Sequence, residues 1–304
     1  MAARAAHVPG GFLNLPPEHR RADNARVFVL PIPYEQTVSY EEGTFDGPRA
    51  LVHASQQVEL YDQDFGGEPA LSYGIYTLPP LKARYRSGQH MMQSVAAAAE
   101  DVIRAGKLLV SLGGEHSITP GLVRGVRKAL AAELVVVQID AHADLRDTYT
   151  GTRYSHGCAM RRCLEENPGP TVQLGIRSYS QEEADFIRGN VGRVNMWHAD
   201  DIHADAAAVR NKVEALVRAK PVYLTIDVDG MDPSIIPATG TPEPGGLTWK
   251  ETVDIIRGVA GVAEIVALDC VELAPRPGLH MADFAAAKLV YKAISAAMSR
   301  RLRP

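Results

Sequence analysis

The feature that most constrains the fold is an alternation of short apolar runs with helical patterns. The apolar runs are rich in β-branched residues, as buried strands are, and they occupy residues 26–31, 107–112, 134–139, 171–176, 194–197, 221–226 and 264–268. Helical segments lie between most of them, and helices that join successive strands imply right-handed crossovers and a parallel sheet. Because the chain has no internal linker or repeat, we predict one α/β domain with three αβα layers and a mainly parallel sheet.

The composition and the chain ends limit what kind of protein this is. Residues 1–25 carry Pro and Arg without clear periodicity and are predicted to form an N-terminal arm before a main domain at residues 26–304. A formal net charge of −4 favours neither nucleic acid nor an anionic membrane as a partner. Without a bilayer-spanning apolar run or a signal-peptide core, we expect a cytoplasmic protein.

The apolar run at residues 134–139 is followed by two aspartates and one histidine at alternate positions, Asp140, His142 and Asp144. In an extended chain, alternate side chains point to the same side. These three side chains can therefore converge on one point. Packing does not explain such a crowd of acceptor groups, and we predict a cation site.

Other predicted strands also end in metal-ligating side chains, namely His116, Asp227, Asp229 and Glu272. Taken singly, each has an ordinary explanation as a loop, turn or helix-capping residue. Ligand sites in parallel α/β sheets lie beyond the carboxyl ends of the strands, so these side chains are expected to meet. Neighbouring carboxylates without a counter-charge would raise each other's pKa, and a metal removes that conflict.

The ligand set is too large for one ion with an open catalytic position. Two divalent ions would balance the charge of the four aspartates. A set rich in oxygen, with imidazoles and no thiolate, favours Mn²⁺, with Fe²⁺, Co²⁺ or Zn²⁺ as alternatives. Two close ions can share a water and lower its pKa, which predicts a hydrolytic centre that suits a cationic substrate.

Several motifs of the chain resemble those of the ureohydrolase family, which includes arginase and agmatinase. The matching segments are residues 113–117 (GGEHS), 140–144 (DAHAD), 227–233 (DVDGMDP) and 238–246 (ATGTPEPGG). They stand in the family's order, and the resemblance extends from residue 31 to the last helix. It implies an arginase-like fold with a ureohydrolase catalytic domain at residues 26–304.

The resemblance also implies a role for each site residue. The ligands of one manganese would be His116, Asp140, Asp144 and Asp227, and those of the other would be Asp140, His142, Asp227 and Asp229. His156 matches the family's proton-shuttling histidine beside the substrate, and Glu272 matches the carboxylate that binds the guanidinium. Without the family match, His156 would be a loop histidine and Glu272 an ion-paired or capping carboxylate.

The implied reaction is hydrolysis of a guanidinium compound to urea and an amine. A water activated between the metals would attack the guanidinium carbon, which Glu272 holds and orients. Asp144 is expected to accept the proton of this water and pass it to the leaving amine. His156 is expected to relay protons to or from solvent.

The loops favour agmatine as the substrate, with putrescine as the product and polyamine biosynthesis as the role. Residues 154–157 (YSHG) and 43–49 (GTFDGPR) are more similar to agmatinase than to arginase, although Phe45 stands where many agmatinase-like sequences have Arg. The cationic tail of agmatine calls for a carboxylate or a carbonyl, and the candidate carboxylates are Glu41, Glu42 and Glu243.

Other readings of the family resemblance stay open. Arginine, aminopropylagmatine and guanidinobutyrate are alternative substrates, and Arg153 would favour an acidic tail if it faced the pocket. Metal-dependent deacetylases resemble the fold but lack the full two-metal set. A non-catalytic regulatory relative would have lost ligands, and none is missing here. Homo-oligomers, commonly hexamers, are usual in the family and are expected.

Overall fold

Eight parallel strands form one sheet in the computed structural model, which describes residues 9–82 and 87–302. In chain order they are β1 (Val27–Ile32), β2 (Ile75–Thr77), β3 (Leu108–Gly113), β4 (Val135–Ile139), β5 (Thr171–Ile176), β6 (Val194–His198), β7 (Pro221–Asp227) and β8 (Glu264–Val271). Their order across the sheet is β2-β1-β3-β8-β7-β4-β5-β6. Every neighbouring pair is parallel, which confirms the predicted α/β class.

Ten α-helices lie between and after these strands in the described parts of the chain. They are α1 (Gly47–Ser55), α2 (Pro69–Tyr73), α3 (Gly88–Arg104), α4 (Thr119–Leu130), α5 (Ala159–Glu166), α6 (Gln181–Gly189), α7 (Ala199–Ala204), α8 (Ala206–Val217), α9 (Trp249–Val262) and α10 (His280–Arg301). None of the helices in residues 9–82 and 87–302 has the length and apolar character needed to cross a bilayer.

Helices cover both faces of the sheet because strand side chains alternate between two apolar clusters. On β4, Val135, Val137 and Ile139 pack into one cluster, whereas Leu134, just before the strand, and Val136 pack into the other. The first cluster includes buried side chains of α1, α8, α9 and α10, and the second includes those of α3, α4 and α5. This arrangement confirms the three predicted layers.

The sequence did not predict the shortest strand and the short helices. β2 has only three residues, and helices α2, α5 and α7 have five, eight and six. Such lengths give too few repeats for a periodic pattern to stand out. The longer strands lie within a few residues of their predicted bounds.

The described part of the predicted N-terminal arm packs on the main domain. Phe12, Leu13 and Leu15 are buried in the first apolar cluster. The Phe12 backbone N–H donates to Thr77 Oγ1 at 2.9 Å, and that of Leu13 donates to Ser55 Oγ at 2.8 Å. Residues 1–8 lie outside the described residues, and the boundary at residue 25 stays a prediction.

The strand order brings the predicted site residues to one place. Strands β3, β8, β7 and β4 are adjacent at the centre of the sheet. All four are parallel, so their carboxyl ends share one edge. These are the strands after which the candidate metal ligands and Glu272 occur in the sequence.

A glycine allows two of these strand ends to approach each other closely. A Cβ added to Gly230, just after β7, would lie 2.6 Å from the backbone N of Asp140 and 2.9 Å from its Cα. Backbone atoms cannot yield as a flexible side-chain end can. The position of Asp140 after β4 therefore depends on the absence of a side chain at residue 230.

We expect Gly230→Ala to lower the free energy of unfolding by about 2 kcal/mol or more, because the added methyl group forces a backbone shift. The matched control is Gly261→Ala within α9, where an added Cβ meets nothing within 4 Å. That change is expected to be neutral or to stabilise by up to about 1 kcal/mol. Urea denaturation measures both, and equal effects would contradict the close-approach argument.

Candidate metal centre and active site

Three strand ends place all the predicted metal ligands at one edge of the sheet. His116 begins a short 3₁₀ turn beyond β3, and the segment after β4 carries Asp140, His142 and Asp144. Asp227 ends β7, and Asp229 lies in the 3₁₀ turn that follows. Ligand atoms of these side chains form two groups, each within 4.8 Å, consisting of His116 with Asp140 and Asp227, and of Asp140 with His142 and Asp229.

The first group is centred on the imidazole of His116. Its Nδ1 lies 3.2 Å from Asp140 Oδ2, 3.1 Å from Asp144 Oδ2 and 3.4 Å from Asp227 Oδ2. This buried nitrogen nevertheless has no hydrogen-bond partner among the described residues. A buried nitrogen facing three carboxylate oxygens fits a metal ligand, because a cation between them would satisfy all four groups.

The other nitrogen of His116 is held by a buried hydrogen-bond chain. Nε2 lies 2.9 Å from Thr225 Oγ1, which donates to Asp269 Oδ1 at 2.6 Å. Asp269 also accepts hydrogen bonds from Tyr223 and Thr119. Such a chain orients the ring and leaves Nδ1 for the cation, as partners beyond the ligands commonly do in metal sites.

The second group shares Asp140 with the first. His142 Nδ1 lies 3.0 Å from Asp229 Oδ2 and 3.7 Å from Asp140 Oδ1. Asp140 is held by Gln138 Nε2, which donates to Oδ2 at 2.6 Å, and by the backbone N–H of His142, which donates to Oδ1 at 2.6 Å. The Asp229 carboxylate accepts from the backbone N–H of Ala141 at 3.1 Å. Because Asp140 belongs to both groups, it is placed to bridge two ions.

The facing charges shift the pKa values of these side chains. Burial disfavours a charged imidazole, but the carboxylates of Asp140 and Asp229 outweigh it and raise the pKa of His142 to about 12. Despite burial, three aspartates raise the pKa of His116 well above its ordinary value. Burial and the neighbouring Asp140 raise the pKa of Asp144 to about 6. The shifts indicate a surplus of negative charge that divalent cations would balance.

Two predicted catalytic residues have a left-handed backbone, with φ of 53° at Asp144 and 63° at Glu272. This conformation costs about 1 kcal/mol or more for a residue other than Gly, and such strain concentrates at functional sites. Glu272 is held in it because its backbone N–H donates to Gly114 O at 2.8 Å and its Oε1 accepts from the His116 N–H at 2.6 Å. Burial and the nearby Glu115 charge raise the pKa of Glu272 well above its ordinary value.

A cavity of about 280 Å³ opens at this edge and is called the site cavity here. Its lining includes six of the predicted site residues, namely His142, Asp144, His156, Asp227, Asp229 and Glu272. Burial lowers the pKa of His156, which favours a neutral ring at neutral pH. The predicted proton-handling and guanidinium-binding side chains therefore share one space with the metal-ligating groups.

The structure adds residues that the sequence analysis did not single out. Tyr149 and Tyr179 also line the site cavity. Arg177 donates to the backbone carbonyls of Asp229 at 2.7 Å and Glu243 at 2.8 Å, and so fastens the loop at residues 238–246 to the end of β7. The position of Arg177 directly after β5 could have marked it as a site residue, whereas no sequence pattern distinguishes the two tyrosines.

We expect the chain to bind about two divalent ions, and we expect Asp140, which belongs to both ligand groups, to contribute most to metal binding. His142→Asn should leave about one ion, because the group around His116 stays complete, whereas Asp140→Asn should weaken both sites. Metal analysis after dialysis against Mn²⁺ measures this. The control is His203→Asn, since His203 pairs with Glu251 at 2.9 Å, outside both groups. Two retained ions in Asp140→Asn would contradict the bridging position.

Comparisons with known proteins identify the family of the chain. The model of the Arginase family matches residues 25–295. The chain is 39% identical over 296 residues to N(1)-aminopropylagmatine ureohydrolase of Synechocystis sp., covering 94% of this chain and 95% of that protein. It is 38% identical over 272 residues to the Thermus thermophilus protein of the same name, covering 90% of each. The solved structure of agmatine ureohydrolase of Thermoplasma volcanium matches with a TM-score of 0.82 at 31% identity, covering 92% of each chain. The chain therefore belongs to the Arginase family and is a ureohydrolase.

Proposed function

We propose that this ureohydrolase cleaves N(1)-aminopropylagmatine to urea and a triamine, using two manganese ions. The observation that carries the reaction type is that Asp144, His156 and Glu272 line the same cavity as the metal-ligating groups. The substrate is proposed from the relatives of that name at 39% and 38% identity. Agmatine, which the loop sequences favour, is the second candidate because the similar solved structure carries that name.

Glu272 is the proposed guanidinium-binding residue. A carboxylate and a guanidinium match in charge and can form two parallel hydrogen bonds. Glu272 is only 8% exposed, so its carboxylate is largely shielded from water. A bound guanidinium would supply the counter-charge that this buried carboxylate needs.

The other proposed catalytic residues handle protons. When bound, a pair of divalent ions polarises a water and lowers its pKa. Asp144 accepts the proton of the attacking water and passes it to the leaving amine, since its carboxylate lies beside both the ligand group and the cavity. His156 exchanges protons with solvent from the cavity wall. Water adds to the guanidinium carbon, the bond to the alkyl nitrogen breaks, and urea leaves.

Side chains in the outer part of the site cavity are suited to bind a cationic substrate tail. Of the three candidate carboxylates, Glu41 is a lining residue, whereas Glu42 and Glu243 are not among the lining residues. Tyr40 also lines the cavity with 74% of its side chain exposed, and an aromatic face attracts an ammonium group. Glu41 is half-exposed and pairs with Arg276 at 2.9 Å, so a substrate amine would share this carboxylate.

The arginines near the cavity do not argue for an acidic tail. Arg153 donates to Glu165 at 2.6 Å and is not among the lining residues. Arg146 does line the cavity, but its guanidinium stacks on the Tyr149 ring at 4.7 Å and its Nε lies 3.7 Å from Glu183. The charge of Arg146 is thus already engaged by Tyr149 and Glu183 and is not free for an acidic substrate tail.

Three further parts of the proposal rest on the sequence. Manganese is proposed because oxygen-rich sites with imidazole and no thiolate suit it. A homo-oligomer, as a hexamer, is proposed from the family resemblance. A cytoplasmic location, which is the expectation from the sequence, completes the proposal.

Urea release from a substrate panel tests the proposed function. The panel holds aminopropylagmatine, agmatine, arginine, guanidinobutyrate and guanidinopropionate, each with the Mn²⁺-loaded protein. We expect the highest kcat/KM with aminopropylagmatine, followed by agmatine, because both tails are cationic. Preference for arginine or for a guanidino acid would refute the substrate assignment, and no urea from any compound would refute the reaction.

We expect Glu41→Gln to lower kcat/KM for aminopropylagmatine by about fivefold, since a half-exposed ion pair is worth about 1 kcal/mol. The kcat/KM for guanidinobutyrate, which lacks the amine, should not fall. The matched control is Glu42→Gln, the same change one residue further along and outside the cavity lining. Equal losses in the two variants would show that Glu41 does not bind the tail.

A further inference from the structure

A buried carboxylate, Glu115, fastens the loop after β1 to the strand end that carries His116. It is fully buried and accepts four hydrogen bonds. The donors are the backbone N–H groups of Gln36 and Thr37, each at 2.7 Å, Thr37 Oγ1 at 2.8 Å and Ser117 Oγ at 2.6 Å. None of the roles assigned above uses this carboxylate.

The hydroxyl of Thr37 connects Glu115 to His156. Thr37 Oγ1 accepts from the backbone N–H of His156 at 3.1 Å and lies 3.3 Å from His156 Nδ1. A hydroxyl has one proton to donate and two lone pairs to accept. Because that proton goes to Glu115, the oxygen can face Nδ1 only as an acceptor, so Nδ1 must carry a hydrogen.

The hydrogen bonds at Thr37 determine which nitrogen of the neutral ring is basic. With a hydrogen on Nδ1, the lone pair lies on Nε2. Ser155 Oγ also lies near Nδ1, at 3.4 Å, but it is farther than Thr37 and its hydroxyl can accept as well as donate. The Tyr149 ring packs against His156 with planes at 78° and centroids 5.7 Å apart, which limits rotation of the imidazole.

We propose that Thr37, held by Glu115, is a positioning residue that fixes His156 as the Nδ1-protonated tautomer and leaves Nε2 as its proton acceptor. The inference rests on the proposed function, in which His156 moves protons in the site cavity. Thr37 itself does not touch the reacting atoms. It acts through the ring, much as a carboxylate orients the histidine of other catalytic pairs.

The same loop contains a matched control. At its other end, the Glu35 carboxylate accepts from the Gly43 N–H at 2.7 Å, from Thr44 Oγ1 at 2.8 Å and from the Phe45 N–H at 3.2 Å. Thr44 is another threonine that donates to a glutamate; it is buried where Thr37 is partly buried, and its hydroxyl has no bond to His156. Substitution of either threonine should loosen the loop, whereas only substitution of Thr37 should change the tautomer of His156.

The test reads the tautomer by ¹⁵N NMR of histidine-labelled, full-length protein reconstituted with diamagnetic Zn²⁺. The His156 signals are identified by their loss in His156→Asn. We expect the Nδ1-protonated form in the wild type, in Thr37→Ser and in Thr44→Val, and its loss in Thr37→Val. With Mn²⁺, Thr37→Val should lower kcat by about tenfold or more with little change in KM, and Thr37→Ser should restore it.

Several results would overturn the proposal. They are an unchanged tautomer in Thr37→Val, the same tautomer change in Thr44→Val, or a change produced by Ser155→Ala instead. Thermal denaturation of Thr37→Val shows whether the variant is folded, and Thr37→Ser provides the milder change if it is not. The NMR result stands whether or not the wild type releases urea, so failure of the proposed function is seen separately.

Discussion

Repulsion among buried carboxylates at one edge of the sheet is the constraint on which the rest of the site depends. Five acidic side chains there are each at most 8% exposed, namely Asp140, Asp144, Asp227, Asp229 and Glu272. Little water reaches them to screen their charges, and burial together with like charges raises the pKa of Asp227 well above its ordinary value. Among the described residues, His116 and His142 are the imidazoles that pair with these aspartates, so negative charge is in surplus and we expect the folded chain to bind divalent cations. Metal binding to the folded state would in turn stabilise it.

The surrounding hydrogen bonds fix each group in the orientation that a cation needs. Asp140 is held by Gln138 and by a backbone N–H, and His116 is held through Thr225 and Asp269. Gln138, Thr225 and Asp269 all lie on strands of the sheet. A site arranged on strands before the ion and the substrate bind loses little free energy to reorganisation. The backbone strain at Glu272 is held by its own hydrogen bonds to Gly114 and His116.

The sequence predicted the long strands well, and it led to the hypothesis of a metal site at the strand ends, because both leave local patterns. The alternating apolar runs predicted β4 and β7, and the acidic residues at their ends were interpreted as candidate ligands. Partners distant in the chain left no such pattern. Thr37 lies 78 residues from Glu115 and 119 from His156, so nothing local indicates that the three meet. Short β2 and the cavity-lining Tyr149 escaped for the same reason, since neither makes a periodic signal.

Residue type and strand-end position were enough to predict a two-metal hydrolytic centre. The sequence by itself also determined the parallel architecture, since helices between strands leave few other topologies. Only the tertiary structure decided the environment of each group. The strand order made β3, β8, β7 and β4 neighbours, and the loops brought Glu41 to the cavity and turned Arg153 towards Glu165. These outcomes depend on contacts between residues far apart in the chain, which no local pattern encodes.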